Sequence, residues 1–190
     1  MGEPLRDRWF EALLVRHHER LVWFVRGLVD DDLHARDIAQ ETFVAAWRVR
    51  GKRSAPFDSD TDEAGSRRWL YRVAYNRAIS FLRQRRRAGW DSLEELDVEA
   101  AVYCAPIAFE DQVAEADVLR RALGQLSPDD VAAVLLHVVH GFTAPEIAQI
   151  LDISLAAATK RVWRAKERLR SAYFSQQTPQ TPQTPVQGQA

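Results

Sequence analysis

The sequence predicts an all-α protein made of two small helical domains joined by an acidic linker. Three observations lead there. Apolar residues recur every three to four positions along most of the 190 residues, and no stretch alternates as a strand would. Helix starts and stops punctuate the second half of the chain. Charge is gathered into blocks of one sign. A hydrophobic fraction of 46% is enough for a packed core and excludes global disorder.

Phe10, Leu13, Leu14, Leu21, Phe24, Val25 and Leu28 fall at helical spacing, which predicts a first helix near residues 6–28. Asp30–Asp32 forms a turn and cap. Ala35, Ile38, Ala39, Thr42, Phe43, Ala46 and Trp47 continue the period through a second helix. Residues 51–66, rich in Gly, Pro, Ser and Asp, are a loop. Trp69, Leu70, Val73, Ala74, Ala78, Phe81 and Leu82 mark a third helix that ends in arginines. Residues 5–90 are thus expected to form the first domain. Residues 91–115 have weak periodicity, many acids and Pro106, and are expected to be the linker, with room for a short helical turn. In the second domain, expected over 116–174, Val118, Leu119, Ala122, Leu123 and Leu126 form a short helix. Ser127-Pro128-Asp129-Asp130 starts the next, with a cap, a proline in the first turn and two acids at the positive end of the helix dipole. Gly141 stops it, and Thr143 with Glu146 has capping-box spacing before a third helix. Leu151-Asp152-Ile153 is a tight turn, and Ser154 caps a last helix reaching about Tyr173. The tail 175–190 repeats Thr-Pro-Gln without charge, so it is expected to be disordered.

The formal net charge of −1 excludes a uniformly basic coat, but it hides strong segregation. Residues 67–87 hold eight arginines and no acid, residues 88–118 nine acids and no base, and residues 154–170 six bases against Glu167. Two cationic surfaces therefore stand ready for phosphates. The ordinary alternative, a solvated helix face, usually mixes both signs. An anionic linker between two cationic modules can shield them from stray DNA, or it can simply keep the chain soluble. A single cysteine, Cys104, excludes an internal disulfide and a Cys-cluster zinc site. No apolar run is long enough to span a membrane, and residues 1–10 lack the apolar stretch of a secretory signal, so a cytoplasmic protein without membrane insertion is expected. No phosphate loop, dinucleotide fingerprint or nucleophile–base signature is present, so neither an enzyme nor a cofactor is expected. His137 and His140 are three apart but have no third ligand in sight, and no metal is expected.

The last two helices have the spacing of a helix-turn-helix. In the final one, Leu155, Ala158, Val162, Ala165 and Leu169 share a face turned to the core. Ala156, Lys160, Trp163, Arg164 and Glu167 lie opposite, with Thr159 beside them. Small, cationic and aromatic groups on the outer side of such a helix suit the base edges and backbone of a major groove.

Three motifs carry a resemblance. The run Asp37-Ile38-Ala39-Gln40-Glu41-Thr42-Phe43 through Trp47 resembles the core-binding helix of bacterial sigma factors of the extracytoplasmic-function group, in the sigma-70 family. Trp69-Leu70-Tyr71-Arg72-Val73-Ala74-Tyr75-Asn76 resembles the next helix of that family's region 2. Leu126-Ser127, Gly141-Phe142-Thr143, Glu146-Ile147-Ala148, Ile153-Ser154, Arg161 and Arg164-Ala165 resemble its region 4. The resemblance implies a transcription initiation factor that binds core RNA polymerase, directs it to promoters and assists melting. It implies that Asp37, Gln40 and Glu41 meet the β′ clamp coiled coil. Arg72, Asn76, Arg77, Ser80 and Arg83 would hold the melted −10 element, with the loop 51–66 lining a base pocket. Thr143, Thr159, Lys160, Arg161, Trp163 and Arg164 would bind the duplex −35 element, Thr143 through phosphate. Ser80 replaces the family's frequent Asp, the loop is unusually acidic, and Ala156, Ala157 and Thr159 depart from the family's pattern, so recognition rules do not transfer. An anti-sigma factor is left open as a further partner. The alternatives are a stand-alone helix-turn-helix regulator with this fold, or a module that binds polymerase without directing it.

Overall fold

A computed structural model describes residues 3–49, 62–88 and 110–177, and among them every regular element is a helix. Helix α1 (Glu3–Val29) ends at Asp30, whose φ of 51° breaks the helix. Asp31 accepts the His34 N–H at 2.9 Å and opens α2 (Asp32–Val49). Asp62 accepts the Gly65 N–H at 2.6 Å and caps α3 (Glu63–Arg87). The three helices pack on one another through Leu21, Phe24 and Val25 of α1, Ile38, Thr42 and Phe43 of α2, and Leu70, Ala74 and Ala78 of α3, all buried.

Four further helices follow. Helix α4 (Glu110–Gly124) begins inside the stretch 91–115 expected to be linker, so helix runs ahead of the second domain expected from 116. Glutamate, glutamine and alanine are good helix formers even where no apolar stripe advertises them, and Glu110, Gln112, Ala114 and Glu115 supply them here. Ser127 caps α5 (Pro128–Val134) by accepting the Asp130 N–H at 3.2 Å. This helix runs into a π turn over Leu135–Val139, closed by His140 N–H donating to the Leu135 carbonyl at 3.0 Å. Gly141 follows with φ 68°, a conformation that suits a residue without a side chain. The Thr143 N–H and hydroxyl both donate to the Glu146 carboxylate, at 2.8 and 2.7 Å, and start α6 (Ala144–Leu151). Asp152, with φ 57°, makes the turn, and Ser154 accepts from Ala157 at 3.2 Å to open α7 (Leu155–Gln177). The helix carries past 175, where the tail was expected to begin.

Helices α4, α5 and α6 all pack against α7, as a helix-turn-helix unit should. The two units also pack against each other: α3 meets α6, and α1 meets α5 and the π turn. A single buried cluster runs from Leu13 to Val162 through both. The loop 51–61, most of the linker and the Thr-Pro-Gln tail lie outside the described residues.

Candidate nucleic-acid and partner surfaces

On α2, burial of Ala35, Ile38, Ala39 and Thr42 turns Asp37, Gln40 and Glu41 to solvent together. Val44 and Trp47 prolong the same stripe at 41% exposure each, although Trp47 also packs edge-on to Phe10 at 4.9 Å. Both lie in the run that carries the family resemblance, but neither was named there as a contact residue. The signal was their spacing of three and seven residues from Glu41 and Gln40. Glu41 is not isolated, because it pairs with Arg77 of α3. The polymerase-type face and the arginine face therefore touch.

On α3, Arg72, Asn76, Ser80 and Arg83 are exposed, while Arg77 is half-buried beside Glu41. The Ser80 hydroxyl donates to the Asn76 carbonyl at 2.8 Å, which leaves its oxygen lone pairs for a ligand. Arg72 reaches out of its own unit to Asp152, at 3.3 Å.

On α7, Ala158, Val162 and Ala165 are buried, and Thr159, Lys160, Trp163 and Arg164 are exposed. Trp163 is 64% exposed, so its ring is available to a partner. Leu155, expected on the core face, is 53% exposed, because it lies in the first turn before the helix meets α6. Arg161 points elsewhere: its guanidinium donates to Asp129 at 2.9 Å, across to α5. Nearby, Arg168 donates to the buried Asp130 at 2.5 Å, so two ion pairs hold α7 to the start of α5. Thr143 is exposed, but the Glu146 carboxylate already satisfies its N–H and hydroxyl. A phosphate there must displace that carboxylate.

Between the units lies a seam that the sequence does not announce. His140 sits beneath Phe24 and Tyr71, with ring centroids at 5.7 and 4.9 Å, and the Tyr71 hydroxyl is 2.9 Å from its Nδ1. Arg67 donates to the His140 carbonyl and lies over the Phe142 ring at 3.9 Å. Burial, then the Arg67 and Arg20 charges, push the His140 imidazole down to about 4, so it is neutral at pH 7. Burial pushes the Tyr71 phenol up to about 12. The Tyr75 hydroxyl donates to Asp129 at 2.7 Å, so Asp129 serves α3 and α7 at once. The π turn explains why both its ends face the seam. A turn closed over five residues returns Leu135 and His140 to one side. Among the described residues no cluster of His, Cys, Asp and Glu could hold a metal, and no helix is long and apolar enough to cross a membrane.

Known proteins share these features. The family model for Sigma-70 region 2 matches residues 13–88, and that for Sigma-70 region 4 matches residues 116–169. The chain is 31% identical over 170 residues to the RNA polymerase sigma factor CnrH of Cupriavidus metallidurans, covering 86% of this chain and 85% of that one. It is 33% identical over 163 residues to the RNA polymerase sigma factor CarQ of Myxococcus xanthus, covering 85% and 87%. Among solved structures, the sigma factor RpoE in complex with the anti-sigma factor NepR from Bartonella quintana resembles it with a TM-score of 0.63 and 24% identity, over 87% of this chain and 96% of that one.

Proposed function

From its membership of the sigma-70 family, to which this chain belongs as an extracytoplasmic-function sigma factor, we propose how its surfaces divide the work of transcription initiation. The protein binds core RNA polymerase and directs it to promoter DNA. Asp37, Gln40 and Glu41 make the polar contacts to the β′ clamp coiled coil, with Val44 and Trp47 as apolar anchors beside them. Arg72, Asn76, Arg77, Ser80 and Arg83 hold the separated −10 strand. Opening a duplex costs stacking and pairing energy, and cations along α3 offset it by fixing the displaced backbone. Thr159, Lys160, Trp163 and Arg164 meet the −35 duplex, and Thr143 holds phosphate once Glu146 yields. Arg161 acts one step back, tying α7 to Asp129. The protein makes and breaks no covalent bonds itself and works in the cytoplasm with the polymerase. An anti-sigma factor is its natural antagonist.

The observation that carries this reading is the joint exposure of three surfaces on one chain: the Asp37/Gln40/Glu41 stripe, the α3 cations and the outer side of α7. A regulator without polymerase would have no use for the first. Holoenzyme formation tests it. The double variant Gln40→Ala, Glu41→Lys should lose core polymerase binding while its helical circular dichroism is unchanged, since both side chains are exposed. Undiminished holoenzyme formation would refute the docking face. Transcription in vitro from a genomic library, with core polymerase and the wild-type chain, would then give the promoter motif.

A further inference from the structure

We propose that α7 reads the −35 duplex by the methyl groups of thymine, through an apolar row of Ala156, Thr159 and Trp163 laid beside its cations. The proposal rests on the reading of α7 as the −35 surface and names what the helix recognises there. Trp163 is 64% exposed, and among the described residues no ring, ion pair or hydrogen bond engages it. Its indole is therefore a large apolar surface without a protein partner. Thr159 stands one turn before it and is exposed too. The Thr159 hydroxyl donates to the Leu155 carbonyl at 3.0 Å, inside the helix. That donor is spent, so Thr159 offers a base edge its methyl and an acceptor oxygen. Ala156 lies one turn earlier, exposed, with a methyl alone. Residues three and four apart are neighbours on a helix, so the three groups form a row. Lys160 and Arg164, both exposed, form a second row next to it.

The two rows ask for different things. The cations suit guanine acceptors and phosphate, whereas the first row must meet something apolar. A major groove displays hydrogen-bonding edges and one apolar group, the C5 methyl of thymine. The minor groove shows only acceptors and the guanine amino group. Water leaves both surfaces when a methyl meets this row. From Ala156 to Trp163 the helix rises about 10 Å, the height of about three base pairs. The row thus selects neighbouring A·T pairs whose methyls face the helix. The cations supply affinity that is blind to those pairs, and the methyls decide among sequences. Two other uses of Trp163 are chemically distinct. A ring laid on sugar and phosphate ignores the base, and an indole N–H donating to thymine O4 would find the same oxygen on uracil.

Removing methyls from the DNA tests this on the unaltered protein. Holoenzyme is bound to labelled duplexes of a promoter recovered by transcription, with each −35 thymine replaced in turn by deoxyuridine. Uracil keeps every hydrogen-bonding group of thymine and lacks only the methyl. Two neighbouring positions should each lose about fourfold in affinity, the worth of one buried methyl. Holoenzyme carrying Trp163→Ala should bind more weakly, yet lose nothing further on substitution at one of them. Thr159→Ser, which drops the methyl, should abolish the response at the other, and Thr159→Val, which keeps it, should preserve that response. Equal binding of thymine and uracil duplexes at every position, by holoenzyme that still needs the −35 sequence, overturns the proposal. So does a full response in both Trp163→Ala and Thr159→Ser, or a −35 element of G·C pairs alone. If scrambling the whole element changes nothing, the −35 reading itself fails, and the proposal falls with it.

Discussion

Lys160 and Arg164 stand one turn apart on the outer side of α7, yet their chemistry assigns them different tasks. The guanidinium is a planar fork that matches two guanine acceptors, whereas the ammonium is a point charge suited to phosphate. Arg164→Ala should therefore cost about 1–3 kcal/mol on a promoter with its cognate −35 element and much less on a scrambled one. Lys160→Ala should weaken both alike and lower the salt dependence. Fluorescence anisotropy of labelled duplexes with holoenzyme checks both, and a uniform loss for Arg164→Ala would move that residue to the backbone. The outward phase of Lys160, Trp163 and Arg164 was legible in the sequence, because Ala158, Val162 and Ala165 fix which side of the helix is buried. The orientation of Arg161 was not. Its partner Asp129 lies 32 residues earlier, and helical phase places a Cα without saying where a long side chain ends.

Local sequence decides most of the helix ends, and this makes one of them a quantitative test. Gly141 has φ 68° and nothing within 4 Å of a Cβ built on it. Gly141→Ala should therefore meet no clash and lose only backbone free energy, about 1 kcal/mol. Gly141→Asn should lose less, since asparagine tolerates the left-handed region. Urea denaturation with an unchanged m-value would support that origin, and equal losses for the two would point to another cause. Ser127, Gly141, Thr143 with Glu146, and Ser154 were all readable as helix signals because each acts within three or four residues. A short helical turn was legible in the linker, but not that α4 starts at Glu110, because its first turn carries acids and no apolar stripe. The π turn was hidden too, since Leu-Leu-His-Val-Val fits an ordinary α-helix equally well. The π turn packs against α1 and α6, and packing is not a local property of the chain.

Acid should part the two regions, because the seam is built around a neutral imidazole. His140 is held near 4 by burial first, and then by Arg67 and Arg20 of region 2. Opening returns it to water and away from those cations, towards 6.5. Above pH 6.5 neither state binds the proton and this group makes no pH dependence. As pH falls from 6.5 to about 4 the open state takes up a proton that the closed state refuses, so closure weakens throughout that window. The radius of gyration from X-ray scattering should grow across it in the wild type. His140→Gln keeps a polar partner for the Tyr71 hydroxyl and should remove that growth; identical curves for the two would sink the argument. His17 complicates the reading in a way that can be separated. It is buried inside region 2, its pKa lowered by burial and by the Arg67 charge, and among the described residues neither ring nitrogen has a partner. Its protonation would loosen region 2 itself and show as lost helicity, whereas parting of the seam leaves the helices intact. In the sequence His140 shows only as half of the His137/His140 pair, without its partners in the seam. The Tyr71–His140 bond joins positions 69 apart, and no periodicity reaches that far. Expansion at constant helicity is thus the signature that assigns the acid response to the seam between the regions.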